Sequence, residues 1–456
     1  MTLDNPGYGL KSVESSRYYQ ILKVSSIISF FVMIVAQVLL MILFSAEQTS
    51  DSAVYMELAR ECVEKGLWYP SVVHLSKPFI FGNGLVNFVA LILRITSEIR
   101  VLFFFNILFV QMILWSCLYI IKKTFRRPTI CFWFVILFCL LNTFWSEVVQ
   151  IRTEVPFCAL AFSGLALLYS NKKWAYPVAG ILLALANWVR PIALAFLIGA
   201  VCLIIIKSKK FRHILSLFGG YVAIILLIGS ISFASCGQFV YQSVTFGYNL
   251  IMSAHDDADG SYMNLVEEGQ VAYIDPEQKK DMTFQDCNDY YVDLSWKWIK
   301  ENPGAYLKQI PAKLFFLYST ETYSGIAYFN NERNTSGIEY IKSVANKFIG
   351  NSEEPFYLGD ILIIFNQIWY MLICVLFVFG TVFFFKKKQW RSMLPLLISI
   401  FCGTGITIVL VGAARYHAPY LPIMIVCAAF ACECIFAGQK KEIAEQDAQE
   451  KPTSCQ

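Results

Sequence analysis

Two carboxylates stand where charge is expensive. Asp51 follows the first long apolar run and opens the polar stretch TSDSAVYMELARECVEKGLWYPSVVHLSKP, residues 49–78, and Glu154 opens a later apolar run within RTEVPF. Cations sit at the ends of other apolar runs: Lys77 before Pro78, Arg152, Arg190 before Pro191, and Arg415 close to His417. A carboxylate can take the proton of an attacking hydroxyl, and a cation can neutralise a departing phosphate, for which the planar fork of arginine suits bidentate contact. Together these residue types suit transfer from a phosphate-bearing donor. Each also has an ordinary reading. Asp51 lies at or next to the start of an amphipathic helix in which Val54, Leu58, Ala59 and Cys62 recur at helical spacing, so it can serve as an N-cap. Glu154 followed by Pro156 fits simple helix-start chemistry, and Arg190 and Lys77 fit turn anchors that snorkel to an interface.

The elements that must position these groups are apolar. Of 456 residues 57% are hydrophobic and 15% charged, against about 25% charged in soluble domains, and uncharged runs long enough to cross a bilayer recur along the chain. The fold class is an all-α polytopic membrane protein. The first run, 21–45, has no small-residue cleavage site and reads as a retained span. Basic clusters lie at 11–23, 122–127, 172–173, 207–213, 386–391 and 440–441. Basic residues in short loops mark the cytoplasmic side, and all these clusters face it together if there are about ten spans: 21–45, 101–121, 129–146, 154–170, 174–189, 191–206, 214–234, 361–385, 392–412 and 417–437. Both termini are then cytoplasmic and the candidate residues external, in the plasma (inner) membrane. The run 79–96 must lie as a juxtamembrane or re-entrant helix, or the cluster at 122–127 would be forced outside. The chain divides into an N-terminal transmembrane catalytic module (1–234, with an outer loop at 46–100), an extracytoplasmic loop region at 235–360 that is partly helical, and C-terminal helices with a tail (361–456).

The net charge of +4 resides in these short clusters, which excludes a nucleic-acid partner. Most of the 14 cysteines lie inside apolar runs and behave as small hydrophobes; Cys236 and Cys287 lie in polar segments and either pair or stay reduced. The stretch 296–318, WKWIKENPGAYLKQIPAKLFFLY, is aromatic, basic and suited to a membrane interface or to an ordinary solvated helix. The run HDDADG, residues 255–260, lacks the closing glutamate of a calcium loop and reads as a polar turn. No GxGxxG, P-loop, HExxH, GxSxG or paired CxxC motif occurs, so soluble nucleotide-sugar, ATP and zinc chemistry have no foothold.

These residues, in this order, resemble the multi-spanning GT-C glycosyltransferases that use polyprenyl-phosphate sugars, the group of protein O-mannosyltransferases and the lipid A aminoarabinose transferase. The features that carry the likeness are Asp51, Tyr55 and Ala59 as D-x-x-x-Y-x-x-x-A, then Lys77-Pro78, the Arg152–Phe157 stretch with Glu154, Arg190-Pro191, residues 301–314, and Arg415 to Pro419. The resemblance implies an inverting transfer from a polyprenyl-phosphate sugar to a lipid, glycan or protein acceptor on the external face. Asp51 would be the base, Glu154 would position the acceptor or a cation, and Tyr55, Lys77, Arg152, Arg190, Arg415 and His417 would bind substrate. One acid at 51, where many members have Asp-Glu, and the lack of a WWDYG motif point away from a divalent metal, and no cofactor is expected. Rival readings are a lipid-linked-sugar transporter or flippase, a surface-polysaccharide polymerase or ligase, and a structural or receptor-like membrane protein.

Overall fold

Each apolar run forms a helix, and the long helices are apolar on every side, as neighbours made of lipid or of other helices require. The computed structural model describes residues 17–44, 47–125, 127–170, 172–262, 274, 282–322, 324–329, 337–387 and 390–449. The helices are α1 (Arg17–Leu43), α2 (Ser50–Glu64), α3 (Asn83–Leu93), α4 (Arg100–Phe125), α5 (Pro128–Leu140), α6 (Thr143–Ser146), α7 (Glu154–Leu168), α8 (Ala175–Val189), α9 (Ala193–Lys207), α10 (Phe211–Cys236), α11 (Phe246–Ile251), α12 (Phe284–Glu301), α13 (Pro303–Lys308), α14 (Ile310–Tyr318), α15 (Ser324–Phe329), α16 (Gly337–Phe348), α17 (Leu358–Lys386), α18 (Trp390–Val409) and α19 (Leu421–Gln449). No named strand forms among the described residues. Exposed apolar side chains such as Ile28, Phe31, Val35 and Leu39 on α1, or Ile361, Ile368, Val375 and Phe379 on α17, would be costly against water and suit lipid.

Among the described residues six segments are helical, long and apolar enough to cross a membrane: α1, α4, α10, α17, most of α18 (Arg391–Val409), and Ala414–Phe436, which runs from a 3-10 turn into α19. The expected ten segments are all helical, but α7, α8 and α9 have 15 residues each, about 22 Å at 1.5 Å per residue against a hydrocarbon core of about 30 Å. The expected straight span at 129–146 is broken: α5 and the helical turns from Thr143 to Val149 meet at 63°. The break lies at Leu141 and Asn142, where α17 takes over the backbone and side chain of the asparagine: Asn142 N donates to Asn366 Oδ1 at 2.9 Å and Asn142 Nδ2 to Leu362 O at 2.6 Å.

Helix pairs pack closely where glycines allow it. A Cβ on Gly180 would lie 2.0 Å from Leu217 O and one on Gly220 2.1 Å from Pro177 O, so α8 and α10 touch backbone to backbone, as small residues permit between membrane helices. One apolar core runs from Met33 to Cys432. The N-terminal and C-terminal parts of the chain therefore share it, with α19 against α5 and α17, and α18 against α9. A second, smaller cluster joins Tyr248, Ile251, Cys287, Tyr291 and Val411.

Basic helix ends and the acidic candidates separate along the bundle. Lys122 and Lys123 close α4, Lys207 closes α9 and Lys386 closes α17, and Arg127 pairs with Glu433 at 3.4 Å. Asp51, Glu154, Arg190 and Arg415 belong to turns at the other helix ends. The run 79–96 holds the short α3, entered through Gly82 in the left-handed region (φ 62°). A Cβ there would stand 2.4 Å from the Tyr55 ring. Gly82→Ala is thus expected to destabilise the protein by about 1–3 kcal/mol, through backbone strain and overpacking, read as a lower thermal unfolding midpoint.

Cys236 and Cys287 are not joined; both are buried thiols, Cys236 beside Ser232 and Cys287 in the second apolar cluster. The 296–318 stretch is folded as the end of α12 followed by α13 and α14. Residues 255–260 form a turn, in which Asp256 accepts from Trp298 Nε1 at 2.7 Å and Gly260 O accepts from Gly412 N at 2.9 Å.

Candidate functional site

The residue before a proline is pushed to extended backbone, so Pro191 stops α8 at Val189 and leaves Arg190 extended (φ −152°, ψ 125°). Its guanidinium reaches Glu154 at the start of α7: Arg190 Nη1 donates to Glu154 Oε1 at 2.6 Å. Arg415, on the 3-10 turn Ala414–Tyr420 between α18 and α19, donates to the same oxygen through Nε at 3.0 Å and to Asp51 Oδ2 through Nη1. Four residues from four distant stretches therefore form one linked ion-pair group. Glu154 is 4% exposed within it, whereas Asp51 is 38% and Arg415 27% exposed. One edge of the group is therefore open to a ligand.

The ordinary readings of the two acids do not describe these contacts. Asp51 lies in the first turn of α2 behind the N-cap residue Thr49, and Glu154 is the first residue of α7; each carboxylate is engaged by arginine. The Arg415 guanidinium beside Asp51 holds its carboxyl below the ordinary carboxylate range, overcoming the opposite pull of burial. Tyr55, one turn along the same face of α2, is buried with its ring tilted on Phe81 at 5.5 Å. Burial, reinforced by the charge of Asp51, pushes its phenol far up, so it remains a neutral donor. Tyr416 supports the group from below, with Arg190 over its ring at 5.3 Å and its hydroxyl donating to Asn249 Oδ1 at 3.4 Å.

Three expected binding residues lie elsewhere. Arg152 is 4% exposed and pairs with the equally buried Glu147 at 3.3 Å, beside the group but not at its open edge. His417 is fully buried and engaged at both nitrogens, Nδ1 at 2.7 Å from Leu317 O and Nε2 at 2.6 Å from Glu321 Oε2, which leaves no nitrogen for a substrate. Lys77 lines a polar cavity of about 710 Å³ with Gln48, Met56, Glu57, Arg60 and Glu64. Residues 53, 57, 60 and 64 of α2 face that cavity while Asp51, Tyr55, Leu58 and Cys62 lie on the opposite face of the helix, whose N-terminal end meets the ion-pair group through Asp51.

Glu321 and Tyr416 are the participants that sequence reasoning missed. Glu321 sits in STETYSG, with no charge pattern to mark it, although its neighbourhood to a cation-bearing turn arises only on folding. Tyr416 was visible as the middle of Arg415-Tyr416-His417. Among the described residues no group of three or more His, Cys, Asp or Glu side chains is arranged to hold a metal ion. The chain matches no protein-family model, no curated protein and no solved structure.

Proposed function

We propose that this chain is an inverting membrane glycosyltransferase of the GT-C type, with about ten spans and both termini in the cytoplasm of a cell whose plasma (inner) membrane it occupies. It would move a sugar from a polyprenyl-phosphate donor to a lipid, glycan or protein acceptor on the extracytoplasmic side. The observation that carries this reading is the Asp51–Arg415–Glu154–Arg190 group, partly open, at the helix ends away from the basic turns. The basic turns then face the cytoplasm and the group faces out. The three short helices would span by their packing inside the bundle and with flanking residues reaching the interfaces.

In the proposed reaction the acceptor hydroxyl attacks the anomeric carbon, its proton passes to Asp51, and the bond from that carbon to the phosphate oxygen breaks. The donor phosphate carries one negative charge and the released polyprenyl phosphate two, so cations beside it favour the transition state over the bound donor. Arg415 and Arg190 are the candidates for that role; Lys77, across α2, is left out of it. While it is paired with Arg415, Asp51 is a poor proton acceptor. A phosphate competing for the same guanidinium would release the carboxylate and raise its affinity for a proton, so donor binding would prepare the base. Glu154, between two arginines, holds both in place.

The transporter reading is weaker because acids and cations meet at helix ends, whereas transporters place their sites near mid-membrane. Vesicles containing the protein and a radiolabelled polyprenyl-phosphate sugar provide the test. Label appearing on an acceptor, with free polyprenyl phosphate released, supports transfer; label crossing the membrane on an intact carrier would replace the proposal with transport.

A further inference from the structure

Arg415 lies in a loop that is gripped on both sides. Upstream, Lys313 Nζ donates to Ile408 O at 3.0 Å, Ser253 Oγ to Leu410 O at 2.5 Å and Gly412 N to Gly260 O at 2.9 Å. These are neutral acceptors, contacts of the kind that hold any loop. Downstream the grip is different. Two residues after Arg415, the imidazole of His417 lies between Leu317 O and the Glu321 carboxylate, and the Tyr370 ring stacks on it at 4.9 Å.

Glu321 is itself fixed before it meets the histidine. Its N–H donates to Gln367 Oε1 at 2.8 Å and its C=O accepts from Asn366 Nδ2 at 3.1 Å, both from α17. Glu321 and His417 are each wholly buried. Removing a carboxylate and an imidazole from water is costly, and apolar residues of the same size would pack there at least as stably. What the polar pair adds is geometry, because two directed hydrogen bonds at 2.6 and 2.7 Å set the orientation of the ring and hence of the tight turn that carries Arg415.

We infer that Glu321, acting through His417, is the positioning residue that aims Arg415 at the phosphate of the donor. The inference rests on the transfer reading above. In structural terms, the segment from 303 to 321 serves as a rack whose last residue locks the arginine turn. An arginine allowed to wander would still pair with something, but a displacement of about 1 Å at a binding group is enough to cost much of its effect.

The test uses the full-length protein in lipid nanodiscs, with binding of sugar-free polyprenyl phosphate and transfer kinetics measured side by side. Glu321→Ala is expected to weaken binding of polyprenyl phosphate, the dianionic product, and to lower kcat/KM for the donor by about tenfold or more, chiefly through kcat, with the acceptor KM moving by less than about threefold. Glu321→Gln is expected to restore binding to within about threefold, since its amide can donate to the Nε2 lone pair of a histidine that keeps its Nδ1–H on Leu317 O. In combination with Arg415→Ala, Glu321→Ala should add almost nothing, because the two changes remove the same contact.

A donor kcat/KM unchanged by Glu321→Ala, or losses that simply add to those of Arg415→Ala, would overturn the inference and leave Arg415 in place. If Arg415→Ala itself binds polyprenyl phosphate as well as the wild type, the phosphate role of Arg415 fails and the inference falls with it. Should Glu321→Ala not accumulate, His417→Gln is put through the same comparison, with the same results counting for and against.

Discussion

Asp51→Asn is expected to lower the transfer rate by about 10²–10⁴-fold, the range for loss of a positioned base, while the protein still inserts and binds polyprenyl phosphate. The amide has the shape of the carboxylate and can still accept a hydrogen bond from Arg415, but it cannot take a proton at the moment of attack. Stability should change little, because Asp51 is 38% exposed and its pair with Arg415 is partly screened by solvent. The pH dependence has a defined sign. Arg415 depresses the Asp51 carboxyl in the folded protein, so the small contribution to stability is present above the unfolded carboxylate value of about 3.9 and is lost as pH falls below it, through the lower folded value. Removing the cation with Arg415→Gln lets the carboxyl rise, so the acid limb of whatever activity survives should move to higher pH. A rate that Asp51→Asn leaves intact would remove the base from the mechanism.

Glu154→Ala is expected to do more harm to the fold than any other single change in the site. Its carboxylate oxygen Oε1 holds both Arg190 and Arg415, and the side chain is 4% exposed. Breaking a buried pair from one side costs about 3–5 kcal/mol because a charge is left behind. The lower end applies here, since Arg415 is 27% exposed and can turn partly towards water. The thermal midpoint should therefore drop clearly, and transfer should fall below detection even in the fraction that remains folded. Glu154→Gln keeps an acceptor for one arginine and should lie between, with stability recovering more than activity. Equal melting of wild type and Glu154→Ala in matched detergent would show that the buried carboxylate does not hold the two arginines together.

What composition and charge pattern determine was readable in advance. Apolar runs, basic clusters and prolines are local signals, and they place the helices, the break after Arg190 and the segregation of basic ends. Asp51, Glu154, Arg190 and Arg415 could be singled out because each stands within or beside an apolar run, and the fold brings these four into contact. Other features depend on tertiary distance. Whether a 15-residue helix crosses is decided by its neighbours, and the bend at Asn142 exists because Asn366 and Leu362 supply its partners from α17. Lys77 has the same sequence signature as Arg190, a cation before proline, yet the fold sets it in the cavity lined by Ala53, Glu57, Arg60 and Glu64, the face of α2 opposite Asp51. His417 looked available for substrate until Glu321, a residue with no local signature, took its second nitrogen.

The distance along the chain between Asp51 and Arg415, 364 residues, has a consequence during biosynthesis. At ribosomal rates of about 5–20 residues per second, Asp51 waits roughly 20–70 s for its partner to be made, whereas Glu154 meets its first partner, Arg190, only 36 residues on. Through that interval the nascent helices carry Asp51 at their rim without Arg415, and a buried asparagine, Asn142, whose partner on α17 is also still to come. The half-made bundle has every apolar helix of its first half but not yet Arg415. On the proposed function, competence would arrive only when the last hairpin enters the membrane, and an unfinished chain would not engage a lipid carrier.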